Sequence, residues 1–455
     1  MKKNIIILVC LALFLQTNLF AQISSTHQSM VKVAKERVHP RTSKIAMVNN
    51  NTSISYMYGI DDVNIGYHKF FLIQDGVSTI YEIKIDNNDN IDQITDIKVL
   101  DNTLYFCGSL ENSKSYTSGF VARADINVFF ASGYYEILPI NQTILIDRIE
   151  PYVDHNVTYV ACLPSTKDYI YNINFNSNTY NYASLNIDEN CMESYADMIL
   201  YKNYIVLLSI FRVINNPSNY GYFLRLYKKG DLQAPSNNNK IEIPTYLYNI
   251  YPYHPLLAKS EINEDIYIAT APIIQEEDNR SSLLDINRIH ITANEPISRE
   301  NYQITTSDLS FNLLWSIKST EINRQRELYL LTTRADRESR VFYCNFSDNT
   351  QPVKIFEYNN LDDFYTALEI YNNDYFICVG GERNEGFHNF TTWDKHSTYN
   401  EYECERRINK NYTEQGLGYS TRSDYLWLFP NNEQLLNKIA IPKRLEYIIK
   451  CEIKQ

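Results

Sequence analysis

Three features of the sequence predict an all-β fold, a single β-propeller of about seven four-stranded blades, with six or eight left open. An apolar run carrying a Tyr recurs seven times along the chain. Each copy follows a short polar turn. The composition sets 38 Tyr and very frequent Asn against only 13 Gly. Tyr suits half-buried pleated surfaces, and Asn closes tight turns because it tolerates left-handed backbone angles.

The first element is a targeting segment, MKKNIIILVCLALFLQTNLFAQ. Lys2 and Lys3 supply its charge, Ile5 to Leu15 its apolar run, and Ala21 a small residue before a cut ahead of Gln22. Residues 1–21 are therefore expected to be a signal peptide, although Leu19 departs from the small residue preferred two positions earlier. The apolar run is shorter than the roughly 20 residues that cross a bilayer, so a retained anchor is disfavoured. Cys10 follows Ile7-Leu8-Val9 and does not fit a lipoprotein signal. The mature chain is expected to be exported, to the periplasm, the cell surface or the medium, with no transmembrane segment. Residues 22–40 read as a polar lead-in and residues 41–455 as the propeller domain.

The repeat begins with TLYFCG at 103–108. It returns as VTYVAC at 157–162, NYIVLLS at 203–209, DIYIATA at 265–271, ELYLLTT at 327–333, DYFICVGG at 374–381 and DYLWLFP at 424–430. The aligned residues are Tyr105, Tyr159, Tyr204, Tyr267, Tyr329, Tyr375 and Tyr425, separated by 54, 45, 63, 62, 46 and 50 positions. HKFFLIQ at 68–74 reads as a weaker copy. Several copies keep their surroundings: an apolar run and a turn before (DIKVLDN, ADMILYKN), a polar loop and a third run after (GFVARADI, GYFLRLYKKG), then a fourth run as in YYEILPI. Four strands in about 50 residues make one propeller blade, which buries its faces only against its neighbours. The N-terminal runs ISYMYGI and YEIKI are candidates to complete the last blade and close the ring. Helices are expected to be few, since capped 3.6-period runs are missing. The repeated Tyr could form an aromatic ring for sugars, but its place among Phe, Ile, Val and Leu favours packing between sheets.

The cysteines do not form a disulfide framework. Of 8, Cys10 leaves with the signal and an odd number remains. Cys107, Cys162 and Cys378 lie inside strand runs, where a small buried thiol is the favoured reading. Cys404 and Cys451 lie in more polar surroundings, and a bond between them would staple the end of the chain.

Charge and motifs narrow the function. A net charge of −12, or −14 once Lys2 and Lys3 are removed, argues against a nucleic-acid partner. No nucleophile elbow, zinc helix or phosphate loop occurs, and no cofactor or metal is implied. The acidic run DNNDNID at 86–92 has Ile91 and Ile97 where a calcium loop places Gly and Glu, so a polar turn is favoured. With 54 Asp and Glu, no pair stands out as the two carboxylates of a glycosidase.

The signal ending Phe20-Ala21-Gln22, together with the repeats, resembles the secreted β-propeller-like proteins of Gram-negative bacteria. The resemblance is architectural and implies no activity. It lacks the repeated Gly-Gly of kelch blades, where only Gly380-Gly381 occurs, and the Trp-Asp of WD blades, where only Trp393-Asp394 occurs.

One segment, GGERNEGFHNFTTWDKHSTYNEYE at 380–403, gathers Glu382, Arg383, Glu385, His388, Trp393, Asp394 and His396. Loops at the mouth of a propeller commonly bind ligands, so these residues are the candidate rim. The competing reading is a solvated loop with Trp393 packed between blades. His388 and His396 lack a third ligand at diagnostic spacing and are not read as a metal site. The favoured function is a non-catalytic binding or interaction protein with a protein or glycan partner. The alternative is a carbohydrate-active propeller enzyme, a glycoside hydrolase or lyase.

Overall fold

The structure is a computed structural model. It describes the strands between Ser24 and Lys454 and most of their connections between residues 90 and 230. Residues 1–23, 384–443 and 455, and short stretches between other strands, lie outside the described residues. Side chains are described chiefly for the first five sheets in chain order.

Seven antiparallel sheets occur among the described residues, numbered I to VII here. Sheets II, III, IV and VI are local meanders, because short turns let consecutive strands pair directly. Sheet II is typical, with Ile91–Leu100, Thr103–Leu110, Ser118–Asp125 and Glu136–Ile140 paired in that order. The turn between its first two strands holds Asp101 and Asn102 at φ 47° and 60°. Sheet III turns at His155 and Asn156, with φ 48° and 64°. Asn and Asp bear these left-handed angles more readily than other side chains do, and Asn90 and Asn178 take them as well.

The first strands of successive sheets pack side by side: Lys44–Asn49, Ile91–Leu100, Ile146–Asp154, Cys191–Tyr201, Leu256–Lys259, Leu313–Ile322 and Asp363–Tyr371. The last of these packs on the first, which closes a ring. This is a β-propeller arrangement with the first strands innermost.

The second strands explain the repeat. Leu104 and Phe106 join Ile54, Tyr56 and Phe70 of sheet I in one core. Their chain neighbours Tyr105 and Cys107 join Ile149, Val160 and Cys162 of sheet III in the next. Ala161 and Leu163 then meet Ile205 and Leu207 of sheet IV, and Val206 and Leu208 meet Ile266 and Ile268 of sheet V. A strand buried on both faces reads as a continuous apolar run, and TLYFCG is that run.

Tyr105, Tyr159, Tyr204, Tyr267, Tyr329 and Tyr375 all fall on second strands, one in each of sheets II to VII. Tyr425 lies outside the described residues. Tyr105 and Tyr267 are buried, and Tyr105 packs on Phe175 of sheet III with ring centroids 6.3 Å apart. These rings fill space between sheets. HKFFLIQ does not take the second-strand place. It belongs to Gly66–Gln74, the third strand of sheet I, where Phe70, Phe71, Leu72 and Ile73 are all buried and imitate the repeat.

Ring closure differs from the expectation. ISYMYGI lies in Thr52–Ile60 and YEIKI in Thr79–Ile85, both within sheet I. Sheet VII is completed instead by Ser24–Ala34, which pairs antiparallel with Arg444–Lys454 from Ser24↔Lys454 to Ala34↔Glu446. Residues 22–40 thus contribute two strands, this one and Arg37–Val38 on sheet I. Ser24–Ala34 is the outermost strand of its sheet, a position that does not demand the apolar run of an inner strand.

One helix, α1 (Ile126–Ser132), is inserted between the third and fourth strands of sheet II. Asp125 caps it by accepting the Val128 N–H, and Gly133 ends it at φ 75°. Among the described residues no helix is long and apolar enough to cross a membrane.

Candidate functional site

The innermost strands carry a repeated irregularity. Their pairing with the second strands skips one residue between Ile94 and Asp96, Ile146 and Arg148, Tyr195 and Asp197, Leu314 and Ser316, and Tyr365 and Ala367. Such a bulge bends the strand and re-aims the side chains beside it. In sheets II, III and IV the residue after the bulge is charged: Asp96, Arg148 and Asp197. Lys44 opens the innermost strand of sheet I, two residues from Ala46, which packs in the core shared with sheet II.

The two aspartates join sheets. Asp96 Oδ1 accepts the N–H of Ile97 at 3.0 Å, and its Oδ2 accepts the N–H of Ile149, in sheet III, at 3.1 Å. Asp197 accepts the N–H of Met198 at 2.9 Å on Oδ1 and that of Leu257, in sheet V, at 2.8 Å on Oδ2. An innermost strand is the edge of its sheet, so its unpaired N–H groups need acceptors from elsewhere once buried. The preceding sheet supplies them.

Arg148 sits between these aspartates in the ring order. Its Nε donates to Asp197 Oδ1 at 3.4 Å and its Nη1 to the Asp147 carbonyl at 3.3 Å. Lys98 Nζ meets Glu150 at 2.7 Å, a second charged contact from sheet II to sheet III. Burial pushes the Lys44 ammonium down to about 8, and the Arg148 charge adds to that, while Asp96, Cys107 and Asp197 act the other way. Burial also works against the charge on Arg148, but Asp197, Asp96 and Asp147 outweigh it and hold the guanidinium above its usual value.

Other buried charges lie within single sheets. In sheet IV the fully buried Glu193 takes Arg225 at 2.7 and 3.0 Å and the Ser209 hydroxyl. In sheet V, Asp265 takes Arg288 Nε at 2.8 Å and His290 Nδ1 at 2.9 Å. In sheet I, His68 Nε2 donates to the Ile91 carbonyl at 3.1 Å, which leaves Nδ1 to accept the Tyr56 hydroxyl at 2.9 Å. None of these groups forms a motif in the sequence. Their members come from neighbouring strands, and their only local mark is a charged or imidazole side chain inside an apolar run.

Of the sequence-predicted rim, Glu382 and Arg383 end the strand Tyr375–Arg383, opposite Leu445 and Arg444. Glu385, His388, Trp393, Asp394 and His396 lie outside the described residues. Cys107 and Cys162 are buried free thiols pushed well above the usual range by burial, and Cys191 is half-buried. Cys404 also lies outside the described residues.

No family model and no curated relative matches the sequence. Among solved structures, YCF48 from Cyanidioschyzon merolae is 8% identical, with a TM-score of 0.44 over 78% of this chain and 96% of that one. A Trypanosoma rangeli sialidase in complex with sialic acid is 9% identical, with a TM-score of 0.42 over 94% of this chain. A puromycin-hydrolyzing peptidase of Mycobacterium tuberculosis is 8% identical, with a TM-score of 0.39 over 64% of this chain. The chain spans 58% of the sialidase and 50% of the peptidase. At this level of likeness no residue role transfers.

Proposed function

We propose that the chain is an exported propeller of seven blades in one domain, and that it acts by binding a protein or glycan partner rather than by catalysis. One observation carries the reading. The buried carboxylates of Asp96, Asp197, Glu193 and Asp265 each accept hydrogen bonds from the main chain of a neighbouring sheet or from an Arg of their own. Carboxylates so engaged hold strands and sheets together, whereas a general acid or base must be free to exchange a proton with substrate. The partner-binding surface in this reading is the rim at residues 380–403, with Trp393 as its aromatic anchor. Export follows from the N-terminal targeting segment.

The test is a glycan array and a pull-down with residues 22–455, together with an assay for glycan cleavage. Retention of a glycan or protein without turnover is expected. Release of sugar product would overturn the reading in favour of the carbohydrate-active alternative.

A further inference from the structure

The outer rim of the ring leaves one strand edge unguarded: we propose that two copies of this chain pair through it, with Thr179–Ser184 of sheet III running antiparallel to its own counterpart. The last strand of a sheet presents unpaired N–H and C=O groups that can template another strand, and folded proteins blunt such edges with charge, Pro or a bulge. Glu82, Glu136, Glu242, Arg299, Glu357 and Lys32 stand on the outermost strands of sheets I, II, IV, V, VI and VII. Thr179–Ser184 reads TYNYAS, with no charged residue and no Pro. It pairs with Tyr169–Asn174 along its whole length without a bulge. The entire hairpin from Tyr169 to Ser184 is uncharged, in a chain that is 21% charged.

The edge is exposed and carries ordered aromatic rings. Thr179, Asn181 and Tyr182 are exposed, Tyr182 with 55% of its surface. Tyr182 stands edge-on to Tyr169 with ring centroids 5.2 Å apart, and Tyr180 edge-on to the buried Tyr171 at 5.8 Å. Tyr171 lies opposite Tyr182 in the ladder, so the four rings share one face of the hairpin. Rings already held by one another lose little freedom when a second strand docks beside them.

Symmetry selects a second copy as the occupant. Opposite residues of an antiparallel pair share a face, so two identical strands related by a two-fold axis must be centred on a residue. Centred on Asn181, the pairing places Tyr180 of each copy opposite Tyr182 of the other, and Thr179 opposite Ala183. Two cross-strand aromatic pairs result, and no like charges meet. The same operation on Lys240–Pro244 sets Glu242 against its own copy, which repels. A strand of unlike sequence would find no charge here to fix its register. So short a strand buries less than a permanent dimer needs, and the expected dissociation constant is on the order of 10–100 µM.

Sedimentation equilibrium of residues 22–455 at up to about 200 µM should show monomer and dimer. Both copies are acidic, so raising salt from about 0.05 to 0.5 M should tighten the dimer by screening their repulsion. Weakening would mark an ion-paired surface elsewhere and count against the proposal. Asn181→Lys sets two ammonium groups opposite one another and should weaken the dimer about tenfold or more. Glu242→Lys, exposed on another outermost strand, should leave it unchanged. Asn181→Cys should give more disulfide-linked dimer than the wild type on mild oxidation, and Thr179→Cys should not, because only residue 181 meets its own copy. A chain still monomeric at the highest concentration overturns self-pairing and leaves the edge to an unlike strand. A dimer indifferent to Asn181→Lys, or equal cross-linking from both cysteines, overturns it as well. The binding tests of the 380–403 rim read another surface, so either proposal can fail alone.

Discussion

The carboxylate of Asp197 accepts the backbone N–H of Leu257 at 2.8 Å, so a side chain of sheet IV satisfies the main chain of sheet V. Asp96 does the same from sheet II to Ile149 of sheet III. In a ring of sheets that meet largely through apolar faces, these contacts help set the height at which neighbours dock. Asp197→Ala should therefore leave the Leu257 and Met198 N–H groups and Arg148 without their acceptor, at a cost of about 2–4 kcal/mol. Urea denaturation would measure it. A loss under about 0.5 kcal/mol would mean that water replaces the carboxylate freely and that the contact does not hold the sheets.

Tyr267 lies on the second strand of sheet V with 1% of its surface exposed. Tyr267→Ala should cost on the order of 3 kcal/mol, the usual loss for a buried aromatic that leaves a cavity. Each blade depends on its neighbours, so the urea transition should shift as a whole. Little change in the midpoint would return the repeated Tyr to the ligand-stacking reading.

His68 ties stability to acid. Burial lowers its pKa, while the Ile91 carbonyl and Asp92 only partly oppose this. The unfolded imidazole takes its proton near about 6.5 and the folded one at lower pH. Below that point the unfolded state binds more protons, and stability falls by at most about 1.4 kcal/mol per pH unit. The loss of stability between pH 7.5 and 5.5 should be smaller in His68→Gln than in the wild type, whatever the variant's stability at pH 7.5. Parallel pH profiles would show that His68 takes its proton as readily in the folded state as in the unfolded one, against a lowered pKa.

Trp393→Ala separates the two readings of the 380–403 segment. If Trp393 anchors a partner, binding is lost while the melting temperature stays nearly unchanged. If the indole packs between blades, stability drops by about 3 kcal/mol or more while any partner binding persists. The binding proposal expects the first pattern, and the second would remove Trp393 from the rim.

Much of the architecture was legible in the residues because its causes are local. A strand buried on both faces must be apolar throughout, as in TLYFCG, and a two-residue turn at left-handed angles selects Asp101-Asn102 or an Asn such as Asn156. Those two rules place six of the aligned tyrosines on second strands. They misplace HKFFLIQ because a third strand buried on both faces obeys the same rule. Local pattern can say that a strand is buried, but not which place it holds in its sheet.

By itself, the sequence determined the strand repeat, its turns and the burial of Cys107 and Cys162, all consequences of chemistry within a few residues. The tertiary structure alone decided how the ring closes and where charge collects. Ser24 pairs with Lys454 at opposite ends of the chain, and no periodicity within Ser24–Ala34 announces that partner. Lys44, Asp96, Arg148 and Asp197 lie about one blade apart in the sequence, each an ordinary polar residue in its own strand. They become a group only because seven sheets turn their first strands to a common axis. There the edge N–H groups are buried and require acceptors, and charges that would otherwise face water must answer one another.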